Sequence, residues 1–315
     1  MTFVERAPAA VVGIDVSKET LAVFDAARQQ LGTVKNTSAA VRKLIAGLPP
    51  GTLVIFEPTG GYEALLAAQL AAHGIACHRA DTLKVKAFLR SFGRLAKTDA
   101  LDAKALAEYG TERWKQLALY QPADKRQAKL AALVARRQDL MALKTAETNR
   151  SKAPGNPIIA KSCKTVIACL GRQIETIDKE VDALIAASQS LARRAKIYSS
   201  LPGVGPRTAI ALLATLPELG TLTRRQAASL AGLAPHPRDS GTFKGYRKMR
   251  GGRPQVRTNL FMAALVGARV PGPLHTFYQR LVENGKKPIV AIAALMRKIV
   301  VILNAKTRDQ IATVS

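Results

Sequence analysis

The sequence predicts a chain of three parts: an α/β N-terminal domain, a helical connector and a mainly α-helical C-terminal domain. Its 315 residues are too many for one ordinary compact domain and enough for two hydrophobic cores with a segment between them. Short β-branched runs dominate the N-terminal part, long helical repeats fill the middle, and the last part is rich in Gly, Lys and Arg. These changes place the three domains at residues 1–112, 113–198 and 199–315.

The N-terminal domain is predicted to contain a mixed sheet. Turn residues separate short apolar runs, of which the first is AVVGIDV, and Gly74 suits the C-terminal cap of a helix. The expected order is β-β-β-α-β-α-β, followed by one further helix. Strands are expected at 10–16, 20–24, 31–35, 52–56 and 75–78, and helices at 62–73 and 100–109.

The middle of the chain is predicted to be a helical hairpin or a coiled-coil arm. Residues 124–150 contain neither Gly nor Pro, and their apolar residues, four leucines and Val134, recur at spacings of three, four and seven. A second periodic run at 159–197 follows the break PGNP at 154–157. The two apolar stripes require partners, so a homo-oligomer, a dimer or a tetramer, is expected. Burial of both stripes within one hairpin is the alternative.

The charge of the chain indicates a polyanionic partner. There are 48 Lys and Arg against 22 Asp and Glu, which gives a net charge of +26. Residues 1–110 hold 13 basic and 10 acidic residues, whereas residues 196–315 hold 19 basic and 4 acidic residues. Solubility alone requires only a modest net charge. We therefore expect the C-terminal domain to bind the phosphate backbone of a nucleic acid.

Cysteine usage and hydropathy predict a cytoplasmic protein. The three cysteines Cys77, Cys163 and Cys169 form no CxxC pair, which favours a reduced intracellular protein without structural zinc. The N-terminus has no apolar core of signal-peptide length. The apolar run at 289–303 is interrupted by two cations, so it is interpreted as a buried amphipathic helix. No membrane partner is expected.

Four carboxylates are predicted to form a metal site. Asp15 lies in the first strand, Glu57 ends a later strand, and Asp99 and Asp102 are three residues apart on one helical face. Each alone has an ordinary explanation as a cap or a surface charge, but the set would repel itself without cations. Oxygen ligands favour Mg²⁺ or Mn²⁺, and a metal pair about 4 Å apart suits in-line attack on a phosphodiester. The pattern resembles the RuvC-like members of the ribonuclease H fold, whose Asp, Glu, Asp, Asp set occupies these elements in this order.

A glycine-flanked turn begins the C-terminal domain. The segment SLPGVGPRTAIALLATLPELG, residues 200–220, places a turn at 202–206 between two helical runs. A helix-hairpin-helix has this form, and its backbone N–H groups can hold a DNA phosphate. An ordinary helix cap with a Gly-Val-Gly turn is the alternative.

A basic segment around Ser240 follows. Residues 238–257 carry seven Lys or Arg and one acid, Asp239, and their Pro and Gly residues predict a loop. A serine hydroxyl among guanidinium groups can attack a phosphate, or it can bind one, or it can form a turn with Asp239. The chemistry alone does not favour any one of these roles over the others. Nucleic-acid contacts are expected from Gly203, Gly205, Arg207, Arg238, Lys244, Arg247, Lys248, Arg250, Arg253 and Arg257.

The four carboxylates, the turn LPGVGPRTA and the block GLAPHPRDSGTFKGYRKMRGGRPQVR together resemble the DEDD transposase family of bacterial insertion sequences. The resemblance covers essentially the whole chain. It implies that Asp15, Glu57, Asp99 and Asp102 bind metal and that Ser240 is the attacking serine. It also implies a structured bridge RNA that selects DNA by base pairing, and a bacterial cytoplasmic protein associated with the nucleoid.

Three functions are compatible with these features. The leading one is a recombinase that cleaves and rejoins DNA through a phosphoserine link, which conserves the phosphodiester energy. The absence of a GxxxxGK[ST] loop agrees with a reaction that needs no ATP. A metal-dependent RuvC-like nuclease or junction resolvase without a covalent step is the second. A catalytically silent DNA-binding protein is the third, and it leaves four repelling carboxylates beside a polyanion.

Overall fold

The computed structural model describes residues 3–93, 98–122, 124–153, 158–237, 239–245 and 247–314. Contacts within the chain divide it into two compact units, residues 1–123 and 124–315. The helical hairpin that the sequence predicts as a connector packs within the second unit. The domain boundaries at 112 and 198 stay predictions.

The first unit is built on a mixed five-stranded sheet, as the sequence predicts. Its strand order is β3-β2-β1-β4-β5, in which β1, β2 and β3 are antiparallel neighbours and β1, β4 and β5 are parallel neighbours. The central strands β1 and β4 are apolar on both faces because helices cover both sides. The elements are β1 (Ala10–Val16), β2 (Thr20–Asp25), β3 (Gln30–Lys35), α1 (Ser38–Ala46), β4 (Thr52–Phe56), α2 (Ala64–Ala72), β5 (Ala76–Arg79), α3 (Thr82–Ser91) and α4 (Asp99–Arg113).

Two helical layers enclose this sheet. On one face, Ile14 and Phe56 pack with buried residues of α1 and α2. On the other face, Val11 and Ile55 pack with buried residues of α3 and α4. The predicted element order through β5 is confirmed, and the helix expected at 100–109 is α4. Helix α3, which lies between β5 and α4, was not predicted.

The second unit begins with an antiparallel helical hairpin. Helices α5 (Lys125–Lys152) and α6 (Ala160–Ala186) contact each other along their length. Arg137 donates to Asp178 at 2.7 Å, and further along α5 Glu147 accepts from the thiol of Cys163 near the start of α6. The predicted periodic run at 159–197 is two helices. Ser188 starts the second one because its hydroxyl accepts a hydrogen bond at the new helix start.

Helix α12 supplies much of the core of the second unit. Leu295, Ile299 and Leu303 are fully buried in it, which confirms the predicted buried helix. By length and composition alone α12 could cross a membrane, but it packs against α9, α10 and α11 within the described structure. The helices are α5 (Lys125–Lys152), α6 (Ala160–Ala186), α7 (Gln189–Ser199), α8 (Pro206–Thr215), α9 (Arg224–Leu230), α10 (Pro254–Gly267), α11 (Pro273–Glu283) and α12 (Pro288–Val314).

Candidate functional site

Asp15 and Glu57 lie at the same level on neighbouring parallel strands. The register of β1 and β4 pairs Ile14 with Phe56, so the next residue along each strand brings Asp15 level with Glu57. Side chains at one level of adjacent strands point to the same face of a sheet. The sheet therefore presents both carboxylates at the carboxyl ends of its two central strands.

A glycine allows α4 to approach β1 closely on this face. Gly13 lies two residues before Asp15, so both residues face the same side of the sheet. A Cβ atom at Gly13 would lie 2.0 Å from the Ala103 carbonyl oxygen and 2.5 Å from the Ala107 amide nitrogen. On the same helix, a Cβ at Gly110 would lie 2.5 Å from a side-chain atom of β4. Only glycine leaves room for the helix at these two contacts.

The first turn of α4 carries the other two carboxylates. Thr98 caps the helix, since its hydroxyl accepts from the Leu101 amide at 3.2 Å. Asp99 and Asp102 follow the cap, where the positive end of the helix dipole favours negative charge. The close contact between α4 and β1 thus brings Asp102 near Asp15.

All four carboxylates line one cleft of about 640 Å³ in the first unit. Among the residues that the structure describes, no three Asp, Glu, His or Cys side chains stand close enough together to hold a metal ion. The fold therefore gathers the predicted site residues without assembling a coordination sphere. Polar and basic residues complete the lining, among them Ser17, Lys18, Thr59, Tyr62, Thr82, Lys86 and Arg90.

Burial and neighbouring carboxylates raise the pKa of Asp15 from its ordinary 3.8 to about 6. Burial is the largest cause, and the charges of Asp102, Asp99 and Glu57 follow in that order. The ordering matches the geometry, because Asp102 is the carboxylate that α4 brings toward β1. The Asp15 carboxylate is therefore less stable as an anion in the cleft than it would be in water.

We expect the metal-free protein to lose stability through Asp15 as the pH rises from 4 to 6. In the unfolded state Asp15 has its ordinary pKa of 3.8, so it is ionised in this window. In the folded state its pKa is about 6, so it keeps its proton, and ionising it there costs free energy. The penalty is fully present above pH 6. In a chelator, the melting temperature of Asp15→Asn should therefore exceed that of wild type at pH 7.5, and the difference should disappear near pH 4. Glu19→Gln, an exposed carboxylate in the β1–β2 turn, is the control; a pH-independent gap would contradict the assignment.

The residues after Glu57 form a loop that a buried carboxylate fixes. Glu63 accepts hydrogen bonds from the Thr59 amide at 3.1 Å and the Gly61 amide at 3.0 Å, and Arg79 lies 3.9 Å from its other oxygen. Glu63 is therefore satisfied within the loop. Its role is to hold the rim of the cleft beside Glu57.

Helix α3 adds site residues that sequence reasoning missed. Burial raises the pKa of Glu57 above its ordinary value, whereas a hydrogen bond from the Thr82 hydroxyl and the charge of Lys86 oppose the rise. The available signal was Asp81, whose carboxylate caps the helix by accepting from the Leu83 amide at 2.9 Å. An Asp cap before an apolar run with helical spacing predicts a helix start.

Ser240 lies in a short exposed hairpin of the second unit. The strands β6 (Pro235–His236), β7 (Asp239–Ser240), β8 (Phe243–Lys244) and β9 (Lys248–Met249) replace the predicted loop. β7 pairs with β8 and places Ser240 opposite Phe243, and Gly241 has φ 56° in the connecting turn. β6 pairs with β9. The hairpin presents Ser240 at the surface of the unit.

The cations predicted to contact nucleic acid include exposed side chains and side chains that have partners within the second unit. Arg247, Lys248 and Arg250 are exposed near this hairpin. Arg238 and the side chain of Lys244 lie outside the described residues. The first three are therefore the cations that the described part of the segment offers to a polyanion.

Three further predicted contacts are engaged within the second unit. Arg207 forms ion pairs with two aspartates of α6, the shorter at 3.0 Å. Arg253 makes two hydrogen bonds to Glu218, and Arg257 donates to the Gly251 carbonyl at 2.6 Å. A phosphate would have to share or displace these partners, so their contacts with nucleic acid stay predictions.

The predicted glycine turn lies between α7 and α8. Gly203 has φ 86°, and a Cβ there would lie 2.3 Å from the Ala263 carbonyl of α10, so this glycine serves packing. A Cβ at Gly205 would meet nothing within 4 Å. The N-terminus of α8 follows directly, with Gly205 as its cap and Pro206 in the first turn. Binding of a phosphate at this turn stays a prediction.

A mixed-sheet unit with a four-carboxylate cleft and a basic helical unit together fit the class of enzymes that act on DNA. Comparison with protein families makes this specific. A family model described as a transposase, of the DEDD and IS110 type, matches residues 12–153, and a model described as the IS116/IS110/IS902 transposase family matches residues 195–279. The chain belongs to the IS110 family of transposases, which cleave and exchange DNA strands.

Relatives support the same assignment. The chain is 30% identical to the pilin gene-inverting protein of Moraxella bovis over 95% of each chain. It is 30% identical to the protein of the same name from Moraxella lacunata over 81% of this chain and 80% of the relative. An uncharacterized 42 kDa protein of insertion element IS900 from Mycobacterium paratuberculosis is 34% identical over 59% of this chain and 46% of that one.

Proposed function

We propose that the chain cleaves and rejoins the DNA ends of an insertion sequence with a divalent metal at the four-carboxylate cleft and with Ser240 as the nucleophile. The observation that carries the proposal is the convergence of Asp15, Glu57, Asp99 and Asp102 on one cleft. The strand order and the helix that crosses β1 support a RuvC-like, ribonuclease H-type domain.

The donor set fits Mg²⁺ or Mn²⁺ in its chemistry. All four groups are carboxylates, and the charges of the other three contribute to the raised pKa of Asp15, so a cation bound beside Asp15 would reduce that repulsion. Asp15, Glu57, Asp99 and Asp102 would hold it, with Thr82 orienting Glu57. Such a cation neutralises charge that develops on the phosphate oxygens.

Ser240 supplies the covalent step in this proposal. The bond between Ser240 Oγ and phosphorus forms as one backbone P–O bond breaks, the hydroxyl proton passes to solvent, and the leaving DNA oxygen takes up a proton. Reversal on another DNA end rejoins the strand without an external energy source. Exposed Arg247, Lys248 and Arg250 follow the hairpin closely in sequence and supply positive charge that would stabilise the pentacovalent transition state.

The partners follow from the family resemblance. A structured guide RNA from the element pairs with the DNA and selects it, and the strongly basic composition suits a ribonucleoprotein. The name of the Moraxella relatives describes inversion of a gene, which is a cut-and-rejoin reaction. We further propose a homo-oligomer that acts in the bacterial cytoplasm.

The decisive experiment is a search for protein covalently attached to DNA. Purified chain, element-end DNA, cognate RNA and Mg²⁺ should yield an adduct that survives denaturation. Ser240→Ala should abolish the adduct and strand exchange yet retain DNA affinity, because only one exposed oxygen is lost. Thr242→Ala is the matched control, since it removes a hydroxyl from the same hairpin turn.

Two results would overturn the serine assignment. One is an adduct that persists in Ser240→Ala, and the other is loss of the adduct in Thr242→Ala alone. Metal-dependent cleavage by wild type with no adduct at all would favour the plain nuclease or junction resolvase, which uses the same carboxylates without a covalent step.

A further inference from the structure

The carboxylate cleft also has positively charged walls. Lys86 and Arg90 of α3 line it, and so does Lys18 of the β1–β2 turn. In the strand order β1-β4-β5, Lys18 follows β1 and α3 follows β5, while Glu57 ends the strand between them. The acidic centre is therefore flanked by cations from both neighbouring elements.

The two cations of α3 lie on one face of an anchored helix. Lys86 and Arg90 are four residues apart, so they share one helical face and lie about 6 Å apart along the axis. Val85 and Phe88 are buried and anchor the helix to the sheet, and the Asp81 cap fixes its first turn. The backbone positions that carry the pair are thus fixed relative to the sheet and Glu57.

These two cations are available to a ligand. Both are exposed, and within the described ranges neither forms an ion pair. Arg79, by contrast, lies against Glu63. Lys86 is close enough to Glu57 for its charge to act on that carboxylate, so a phosphate bound by Lys86 would lie next to the acidic centre.

We propose that Lys86 and Arg90 bind backbone phosphates of the DNA strand immediately beside the phosphate that is cleaved. The inference rests on the proposed function and adds a substrate-binding face to the same cleft. A DNA strand that approaches four carboxylates is repelled, and fixed cations next to them offset that repulsion. DNA is the occupant, because strand cleavage by this family occurs on DNA.

The test is a salt titration of binding in a protein that cannot cleave. Full-length Asp102→Asn protein, with and without Lys86→Ala and Arg90→Ala, is titrated with labelled element-end DNA over a series of NaCl concentrations. If each cation holds one phosphate, the double variant should reduce the magnitude of the log-log salt slope by about 2. In cleavage-competent protein, the same double substitution should raise KM. Lys86→Arg alone should leave KM near that of wild type because it keeps the charge.

Lys84→Ala is the matched control. It removes the same charge from the same helix, but Lys84 acts on His78 and does not line the cleft. A slope and KM in the double variant equal to those of Lys84→Ala would overturn the inference. So would a reduction seen with an RNA oligonucleotide of the same sequence but not with DNA. Failure of wild type to cleave in Mg²⁺ or Mn²⁺ would instead count against the proposed function, whatever the slopes.

Discussion

Asp102→Asn is expected to lower metal-dependent DNA cleavage by at least ~10²-fold while leaving DNA affinity largely unchanged. Asp102 lies in the first turn of α4 and is the neighbour whose charge acts most strongly on Asp15. The substitution keeps the size of the side chain and removes the charge that a divalent cation requires. The basic residues of the second unit, which supply most of the positive charge, are untouched.

Two measurements check this prediction. Cleavage of labelled element-end DNA is followed in Mg²⁺ and in Mn²⁺, and thermal melts with and without metal report binding independently of activity. Wild type should gain melting temperature with metal, whereas Asp102→Asn should gain little. Glu112→Gln, an exposed carboxylate near the other end of α4, is the control. If Asp102→Asn cleaves DNA at the wild-type rate, the assignment of Asp102 to a metal site is wrong.

Gly13→Ala is expected to destabilise the first unit and to impair cleavage, although Gly13 carries no functional group. The added Cβ would lie 2.0 Å from the Ala103 carbonyl oxygen, a backbone atom that cannot rotate away, so α4 must shift. Overpacking of this kind costs about 1–3 kcal/mol. The shift also moves Asp99 and Asp102 relative to Asp15, so activity should fall further than stability explains.

The control for this substitution is Gly32→Ala. Gly32 also lies in a strand, but a Cβ there would meet nothing within 4 Å, so the free energy of unfolding should change by no more than about 0.5 kcal/mol. Urea unfolding gives the free energies, and the pH dependence of stability reports the charge around Asp15. If both glycine variants behave alike, the close approach of α4 does not position the carboxylates.

The convergence of the carboxylates was predictable because it depends on local pattern and order. Apolar β-branched runs mark β1 and β4, so Asp15 and Glu57 could be placed at neighbouring strand ends. The spacing of Asp99 and Asp102 places both in one helical turn. Such patterns do not give the distances between the carboxylates. Among the described residues, no three of these side chains are close enough together to hold a metal ion.

The features that could not be predicted depend on partners remote in sequence. Gly13 in a strand gives no sign that α4 will pack against it ninety residues later. Arg207 was predicted to contact DNA, yet its partner Asp182 lies 25 residues earlier, and Arg253 pairs with a glutamate 35 residues away. A cluster of arginines in sequence thus predicts total charge better than it predicts which guanidinium groups are free.

The burial of α12 has a consequence for synthesis of the enzyme. Buried Asn304 ties this helix to the segment before α9, since it accepts from the Gly220 amide at 2.8 Å and donates to the Leu222 carbonyl at 2.7 Å. α9 and α10, which flank the hairpin of Ser240, also pack against α12. On the ribosome the first unit can therefore fold early, whereas the support of Ser240 waits for residues beyond 288. A ribosome that stops before α12 releases a chain without the helix against which α9 and α10 pack, so a truncated translation product would lack the ordered Ser240 hairpin that the proposed strand exchange requires.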